Sequence, residues 1–136
     1  MRRLAVFAVL LALGACSTSS SPPPAAPAAN AGRGYLVFFQ PWSAALDTTA
    51  LAIISTAYRA ANANPAATVT VSGFADTIGT AQANVYLSET RAQVVADALV
   101  ADGLNPSRIH RQALGERGTP NTSEQYERRV LIQVGP

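Results

Sequence analysis

The residues from 69 to 92 constrain the fold of this chain more than any other stretch. Val69 and Val71 alternate with polar residues, which predicts a strand with one buried face. After a short loop, apolar positions recur at helical spacing and predict a long amphipathic helix. Asp76 stands just past the strand, and Arg91 falls on or beside the inward-facing stripe of the helix. Such a pair is either a structural ion pair or the two poles of a site for a ligand that carries both charges.

Residues 1–15 read as a secretory signal peptide. Arg2 and Arg3 precede an apolar run of about a dozen residues, which is too short to span a bilayer. The run ends in Leu-Gly-Ala before Cys16, the only cysteine, and resembles the lipobox of bacterial lipoproteins. The resemblance implies that Cys16 is acylated and becomes the mature N-terminus. Ser17, and not Asp, follows the cysteine, and by resemblance to enterobacterial lipoproteins this favours lipid anchoring to the outer membrane, with the domain facing the periplasm. The alternative is a plain signal peptide with a coincidental cysteine.

Residues 16–33 are predicted to be a lipidated cysteine followed by a flexible tether. The segment is rich in Pro, Ser and Ala and has no apolar periodicity, so it cannot bury enough surface to fold. At roughly 3 Å per residue, a Pro-rich chain of this length would reach about 50 Å from the membrane. The alternative is a linker whose length is not required for function.

Charge and composition exclude several classes of function. Once Arg2 and Arg3 leave with the signal peptide, eight arginines face eight acidic residues, so the mature chain has a formal net charge of zero. Without a basic patch or interleaved aromatic and basic residues, we expect no nucleic-acid binding. His110 is the only histidine, and no metal-ligand cluster or nucleophile–histidine–acid set can be assembled. We therefore expect no metal, no cofactor and no enzymatic activity.

Residues 34–136 are predicted to form one α+β domain in the order βαβαββ. Two helices are expected to pack on one face of a four-stranded mixed sheet. Thr80 is the predicted N-cap of the second helix, and Trp42, at the exit of the first strand, is expected to be a half-buried cap of the core. Residues 115–126 read as a polar loop. The predicted strands are 35–39, 68–72, 108–114 and 128–134, and the predicted helices end near residues 62 and 102.

These elements resemble the OmpA C-terminal family of peptidoglycan-associated domains. The family pattern is roughly V-x-G-H-T-D, then N-x-x-L-S-x-x-R-A, G-x-G-E and N-R-R-V. The matching pieces here are V-S-G-F-A-D at 71–76, N-V-Y-L-S-E-T-R-A at 84–92, G-E at 115–116 and R-R-V at 128–130. The resemblance covers essentially the whole predicted domain and implies an OmpA-C-like sandwich that binds a ligand and catalyses no reaction.

The resemblance also implies the ligand, which is the diaminopimelate side chain of the peptidoglycan stem peptide. The family's Asp and Arg map to Asp76 and Arg91. A carboxylate accepts from the ligand ammonium, and a guanidinium grips the ligand carboxylate at two points, which Lys could not reproduce. The helix start near Thr80 offers free amides to an anion. Asn84 shares a helix face with Arg91 and is a secondary candidate, as is Arg128 if its side chain faces the site.

Five positions depart from the family pattern. Ala113 stands where the family often has Gly, and Leu114 stands where an aromatic residue is common. Phe74 and Ala75 replace His and Thr beside Asp76, and Glu127 replaces Asn and could compete for Arg128. The expected protein is a non-catalytic outer-membrane lipoprotein that tethers the membrane non-covalently to the cell wall. The alternative is a protein-interaction subunit of an envelope assembly, of the Tol-Pal or secretion type, in which wall binding is secondary.

Overall fold

The computed structural model describes residues 34–117 and 122–135. The signal peptide, Cys16 and the tether lie outside the described residues, so these assignments remain predictions. Within the described residues, no helix combines the length and apolarity needed to cross a membrane. The strands are β1 (Gly34–Phe38), β2 (Val69–Ala75), β3 (Ile109–Glu116) and β4 (Arg129–Val134), and the helices are α1 (Thr48–Ala63), α2 (Ala81–Ala101) and α3 (Glu124–Glu127).

The four strands form one mixed sheet in the order β1-β4-β2-β3. The pairing of β2 with β3 is parallel, because α2 crosses over between them, whereas β4 runs antiparallel to both β1 and β2. The two central strands are thus β4 and β2, with Val71 opposite Ile132. This topology confirms the predicted α+β class and places the end of β2 beside the start of β4.

The hydrophobic core lies between one face of the sheet and helices α1 and α2. Alternate residues of β2 and β4 face the helices, as the period of two predicted. The helices contribute residues at three- and four-residue spacing, many of them alanines, which lets them approach the sheet closely. The buried members of this cluster include Val37, Ala50, Ile54, Ala57, Ala61, Val69, Val71, Ala92, Val95, Leu99, Val130, Ile132 and Val134.

Both long helices begin at side-chain caps. The Asp47 carboxylate accepts from the Ala50 amide at 2.7 Å, and the Thr80 hydroxyl oxygen accepts from the Ala83 amide at 3.2 Å. Each cap satisfies an amide that has no partner within its helix. The Thr80 cap, which the sequence predicted, fixes where α2 begins relative to Asp76.

The predicted loop at 115–126 contains structure that its sequence did not indicate. β3 continues to Glu116, and the single-turn helix α3 begins at Glu124. The Ser123 hydroxyl oxygen caps this turn by accepting from the Tyr126 amide at 3.3 Å. A helix of four residues is too short to display a 3.6-residue period, so the pattern could not reveal it.

Arg108 closes the C-terminal end of α1, a role that the sequence did not suggest. Its Nε donates to the Ala67 carbonyl, and its Nη2 donates to the carbonyls of Ala61 and Asn64, all at 2.8 Å. The last carbonyls of a helix have no partner within it and favour a cation. Arg108 therefore ties α1 to the start of β3.

Candidate functional site

Asp76 lies where β2 ends and a loop of residues 76–80 (the site loop) leads to α2. Its Oδ1 accepts from the Ile78 amide at 3.3 Å, and its Oδ2 accepts from Arg128 Nη1 at 3.1 Å. The side chains of Arg128 and Asp76 are 13% and 7% exposed, so water reaches the edge of this ion pair. Such a charge-assisted hydrogen bond holds the carboxylate in one orientation.

Arg128, and not Arg91, is the residue that forms the ion pair with Asp76. The interpretation of Asp76 and Arg91 as a structural ion pair is therefore wrong. The reason is that the nitrogens of Arg91 donate to backbone carbonyls, whereas Arg128 lies at the junction between α3 and β4 and extends to the site loop. Glu124 Oε2, on an exposed side chain of α3, lies 4.0 Å from Arg128 Nη1.

The Arg91 side chain is fully buried and joins two segments of the chain. Its Nε donates to the Ser43 carbonyl at 2.9 Å and its Nη2 to the Gln40 carbonyl at 3.0 Å. Its Nη1 donates to the Phe74 carbonyl at 3.1 Å, and the guanidinium carbon lies 5.2 Å from the centroid of the Phe39 ring. Arg91 thus fastens the turn of residues 40–43 to the end of β2.

Burial is also the largest influence on the charge of Arg91. Removal from water lowers the pKa of Arg91 from its ordinary value to about 10. The negative charge of Asp76 opposes this change, and the positive charge of Arg128 adds to it. Because this pKa remains above neutrality, the guanidinium is charged at physiological pH. Asp76, Arg91 and Arg128 therefore form one electrostatic cluster of two cations and one anion.

Thr80 caps α2 and Asn84 lies in its first turn, but both side chains already make contacts within the fold. The fully buried Asn84 donates from Nδ2 to Glu116 Oε2 at 3.0 Å. Its Oδ1 has no hydrogen-bond partner in the described part of the chain and lies near Gly79. Thr80 is exposed, with its hydroxyl oxygen in the cap. The site therefore contains one buried acceptor that a donor from outside could satisfy.

The close approach of β2 and α2 allows Arg91 to reach the end of the strand. A Cβ on Gly73 would lie 2.0 Å from the carbonyl oxygen of Ser88, so only glycine fits there. The Ser88 hydroxyl donates locally to the Val85 carbonyl at 2.7 Å and accepts from the Gly115 amide at 3.0 Å. These contacts lock the helix against the sheet.

The positions that depart from the family pattern support the fold around the site. The guanidinium carbon of Arg129 lies 4.1 Å from the centroid of the Phe74 ring and 4.2 Å from that of Tyr126. Phe74 therefore packs against the guanidinium of Arg129, the first residue of β4. Buried Glu127 accepts from the Thr122 hydroxyl at 3.0 Å.

Trp42 does not have the half-buried position that the sequence suggested. Trp42 is 58% exposed. Its φ is +55°, the only positive φ of a non-glycine residue in the described segments. The ring lies against Gly79, where a Cβ would be 2.5 Å from Trp42 Cη2. The turn is held on both sides of Trp42, because Arg91 binds the carbonyls of Gln40 and Ser43. Sequence periodicity carries no signal for such a turn.

The sequence profile described as the OmpA family matches residues 38–132. The chain belongs to the OmpA family. This OmpA-family chain is 41% identical over 64 residues, 46% of its length, to outer membrane protein A of Klebsiella aerogenes. It is 36% identical over 77 residues, 53% of its length, to the probable lipoprotein YiaD of Escherichia coli K12. It spans 18% and 35% of the length of these two relatives.

Solved structures show the same OmpA-like fold. The peptidoglycan-associated lipoprotein from Burkholderia pseudomallei superimposes with a TM-score of 0.67 at 22% sequence identity. The match covers 74% of this chain and 89% of that one.

Within residues 34–117 and 122–135, no group of three His, Cys, Asp or Glu side chains could hold a metal ion.

Proposed function

We propose that this OmpA-family domain binds peptidoglycan non-covalently, without catalysis, by holding the diaminopimelate head group of a stem peptide. One observation carries the proposal: Asp76 and Arg128 form a 3.1 Å ion pair, nearly but not fully shielded, at the start of the site loop. A ligand with an ammonium beside a carboxylate presents the same two charges. The names of the relatives, which include a peptidoglycan-associated lipoprotein and an outer membrane protein, support this ligand.

In this proposal the ligand enters the existing ion pair instead of an empty pocket. Its ammonium donates to Asp76, and its carboxylate accepts from Arg128, whose planar guanidinium can bind two oxygens at once. The first amides of α2, beyond the Thr80 cap, add to the positive potential for the carboxylate. The free Oδ1 of Asn84 offers a further acceptor to the ligand ammonium.

Arg91 is the second pole of the proposed clamp, but its contribution depends on how deeply the ligand enters. A guanidinium has five N–H groups, and three of those of Arg91 donate to carbonyls, which leaves 5 − 3 = 2. The Arg91 side chain is fully buried, so a ligand at the surface does not reach these two groups directly. Arg128 is therefore the cation that the ligand carboxylate meets first.

The test is co-sedimentation of the full chain, purified in mild detergent, with peptidoglycan sacculi. Asp76→Asn and Arg128→Gln should each reduce the bound fraction at least tenfold, because each removes one of two charge-assisted contacts worth about 1.5–3 kcal/mol. Matched controls are Asp97→Asn and Arg59→Gln, which make the same changes at exposed positions of α2 and α1. If both site variants pellet like the controls, with unchanged circular dichroism, the site assignment fails.

Competition distinguishes the head group from a general cationic effect. Free diaminopimelate should displace the protein from sacculi, whereas lysine, which lacks the second head group, should displace it poorly. A single site of this size should bind weakly, so retention on a repeating wall rests on avidity. Equal displacement by the two amino acids would contradict the proposed ligand.

The proposal includes anchoring to the outer membrane through acylated Cys16. Two or three acyl chains anchor stably where one does not, since each buried methylene contributes about 0.8 kcal/mol. Cys16→Ala should therefore move the protein from the membrane fraction to the soluble periplasmic fraction. A Cys16→Ala protein that still fractionates with the outer membrane would rule out the lipid anchor.

A further inference from the structure

Trp42 has three properties that a residue serving only the fold would not combine. It is 58% exposed, it adopts a left-handed backbone conformation at φ +55°, and it is the only tryptophan of the chain. A non-glycine residue in this region is strained, and such strain persists only where the surroundings enforce it. A turn required solely for chain reversal would be more stable with glycine at this position.

The surroundings of Trp42 hold it rigidly while leaving most of it open. Arg91 binds the carbonyls on either side of it, and the Ser43 amide donates to the Gln40 carbonyl at 3.2 Å. One edge of the six-membered ring, at Cη2 and Cζ3, rests on Gly79, which has no side chain to obstruct it. The remainder of the indole is presented to solvent beside the site loop.

The exposed indole adjoins the proposed ligand site through two shared contacts. Gly79, which supports the ring, belongs to the site loop that begins at Asp76. Arg91, which holds the turn, also binds the Phe74 carbonyl two residues before Asp76. Ile78, which precedes Gly79 in the site loop, is a further exposed apolar residue at 44%. An exposed aromatic ring therefore lies against the loop that begins at Asp76.

We propose that Trp42, supported on Gly79, is a second subsite that stacks against a pyranose ring of the glycan strand next to a bound stem peptide. This inference rests on the proposed function. The charged cluster matches the zwitterionic head group, whereas an exposed indole matches a surface of C–H groups. A pyranose presents such a surface on one ring face, and the negative face of an aromatic ring attracts those C–H groups. Preorganisation by Arg91 and Gly79 lowers the entropic cost of binding.

Because Trp42 is the only tryptophan, its fluorescence reports on this subsite directly in the unmodified chain. The full chain in mild detergent is titrated with three probes: peptide-free glycan strands, the isolated stem tripeptide containing diaminopimelate, and sacculi fragments that carry both. Glycan strands should shift the emission of Trp42. The tripeptide should bind as well but shift the emission less. A shift with the tripeptide but none with glycan strands overturns the saccharide subsite while leaving the proposed function intact.

Substitutions separate binding from folding. Trp42→Gly relieves the backbone strain, so its melting temperature should stay close to that of the wild type, while its affinity for sacculi fragments falls about 5- to 10-fold. Trp42→Phe should retain most of the affinity. Tyr86→Ala, at a 60% exposed aromatic residue of α2, is the matched control and should bind normally. If Trp42→Gly binds sacculi fragments with unchanged affinity, the saccharide subsite is wrong. If the wild type does not bind peptidoglycan at all, both proposals are wrong.

Discussion

Replacement of Arg91 by Leu is the substitution for which the structure gives the sharpest energetic expectation. The change keeps an apolar stem in the core and removes the three nitrogens that donate to the carbonyls of Ser43, Phe74 and Gln40. Hydrogen bonds from a charged donor contribute about 1.5–3 kcal/mol each, so the three together contribute about 4.5–9 kcal/mol. The result is a test of Arg91 as a structural fastener, independent of any ligand.

The burial of the charge offsets part of this contribution. The lowering of the Arg91 pKa from its ordinary value to about 10 corresponds to about 3 kcal/mol at 1.36 kcal/mol per pKa unit. Subtraction leaves about 1.5–6 kcal/mol, and we expect Arg91→Leu to lower the free energy of unfolding by about 4 kcal/mol. A domain of this size would then lose about 15–30 °C in melting temperature.

Urea denaturation followed by circular dichroism measures this loss. The free energy of unfolding of Arg91→Lys should lie between those of the wild type and Arg91→Leu. One ammonium cannot reach three separate carbonyls with the geometry of a guanidinium. Arg59→Leu, at an exposed position of α1, is the control and should change the free energy of unfolding by no more than about 0.5 kcal/mol. A loss below about 1 kcal/mol for Arg91→Leu would refute the reasoning, since the three carbonyls would then not depend on the guanidinium.

Three further predictions concern the fold and its charge. Gly73→Ala should lower the free energy of unfolding by about 3 kcal/mol or more, because its Cβ would meet the Ser88 carbonyl oxygen at 2.0 Å, whereas Gly135→Ala, with its nearest contact at 3.7 Å, should be nearly neutral in the same urea titration. Arg108→Leu should cost about 2–4 kcal/mol, because it leaves three carbonyls near the end of α1 without a charged donor; a cost equal to that of Arg59→Leu would contradict this role. The stability difference between the wild type and Arg91→Leu should be constant from pH 6 to 9, because a pKa near 10 keeps Arg91 protonated in both the folded and the unfolded state. Because burial lowers the pKa of Arg91, the folded state releases this proton before the unfolded state does. The contribution of Arg91 to stability should therefore rise with pH above about 10, and a fall between denaturation curves recorded at pH 9 and pH 11 would contradict this expectation.

The α+β fold was predictable because its elements are long and their patterns are regular. The alternation of Val69 and Val71 identified β2, and the Thr80 cap identified the start of α2. α3 escaped prediction because a single helical turn has no period. The path of the chain around Trp42 escaped it too, because the hydrogen bonds of Arg91 impose that turn from 48 and 51 residues away along the sequence.

The candidate site was predictable in its residues but not in their pairing. The sequence placed Asp76 at a strand end and Arg91 on the inner face of a helix, and both positions are correct. It could not indicate that Arg91 would bind carbonyls, because a backbone acceptor has no signature in the sequence. It also could not indicate that Arg128 would form the ion pair with Asp76, because Arg128 follows the single-turn helix α3, which has no signature in the sequence.

Arg91 links the two proposed subsites, because it binds the Phe74 carbonyl on the Asp76 side and the carbonyls that flank Trp42 on the other. A ligand carboxylate that drew N–H groups away from those carbonyls would loosen the turn and, with it, the indole. A carboxylate held by Arg128 would leave the turn intact and the platform rigid. Glycan and stem peptide can therefore bind at the same time when Arg128 binds the ligand carboxylate and Arg91 remains bound to the backbone carbonyls. On this reasoning, the full burial of Arg91 is what allows an exposed tryptophan to stay in a strained conformation beside a charged site.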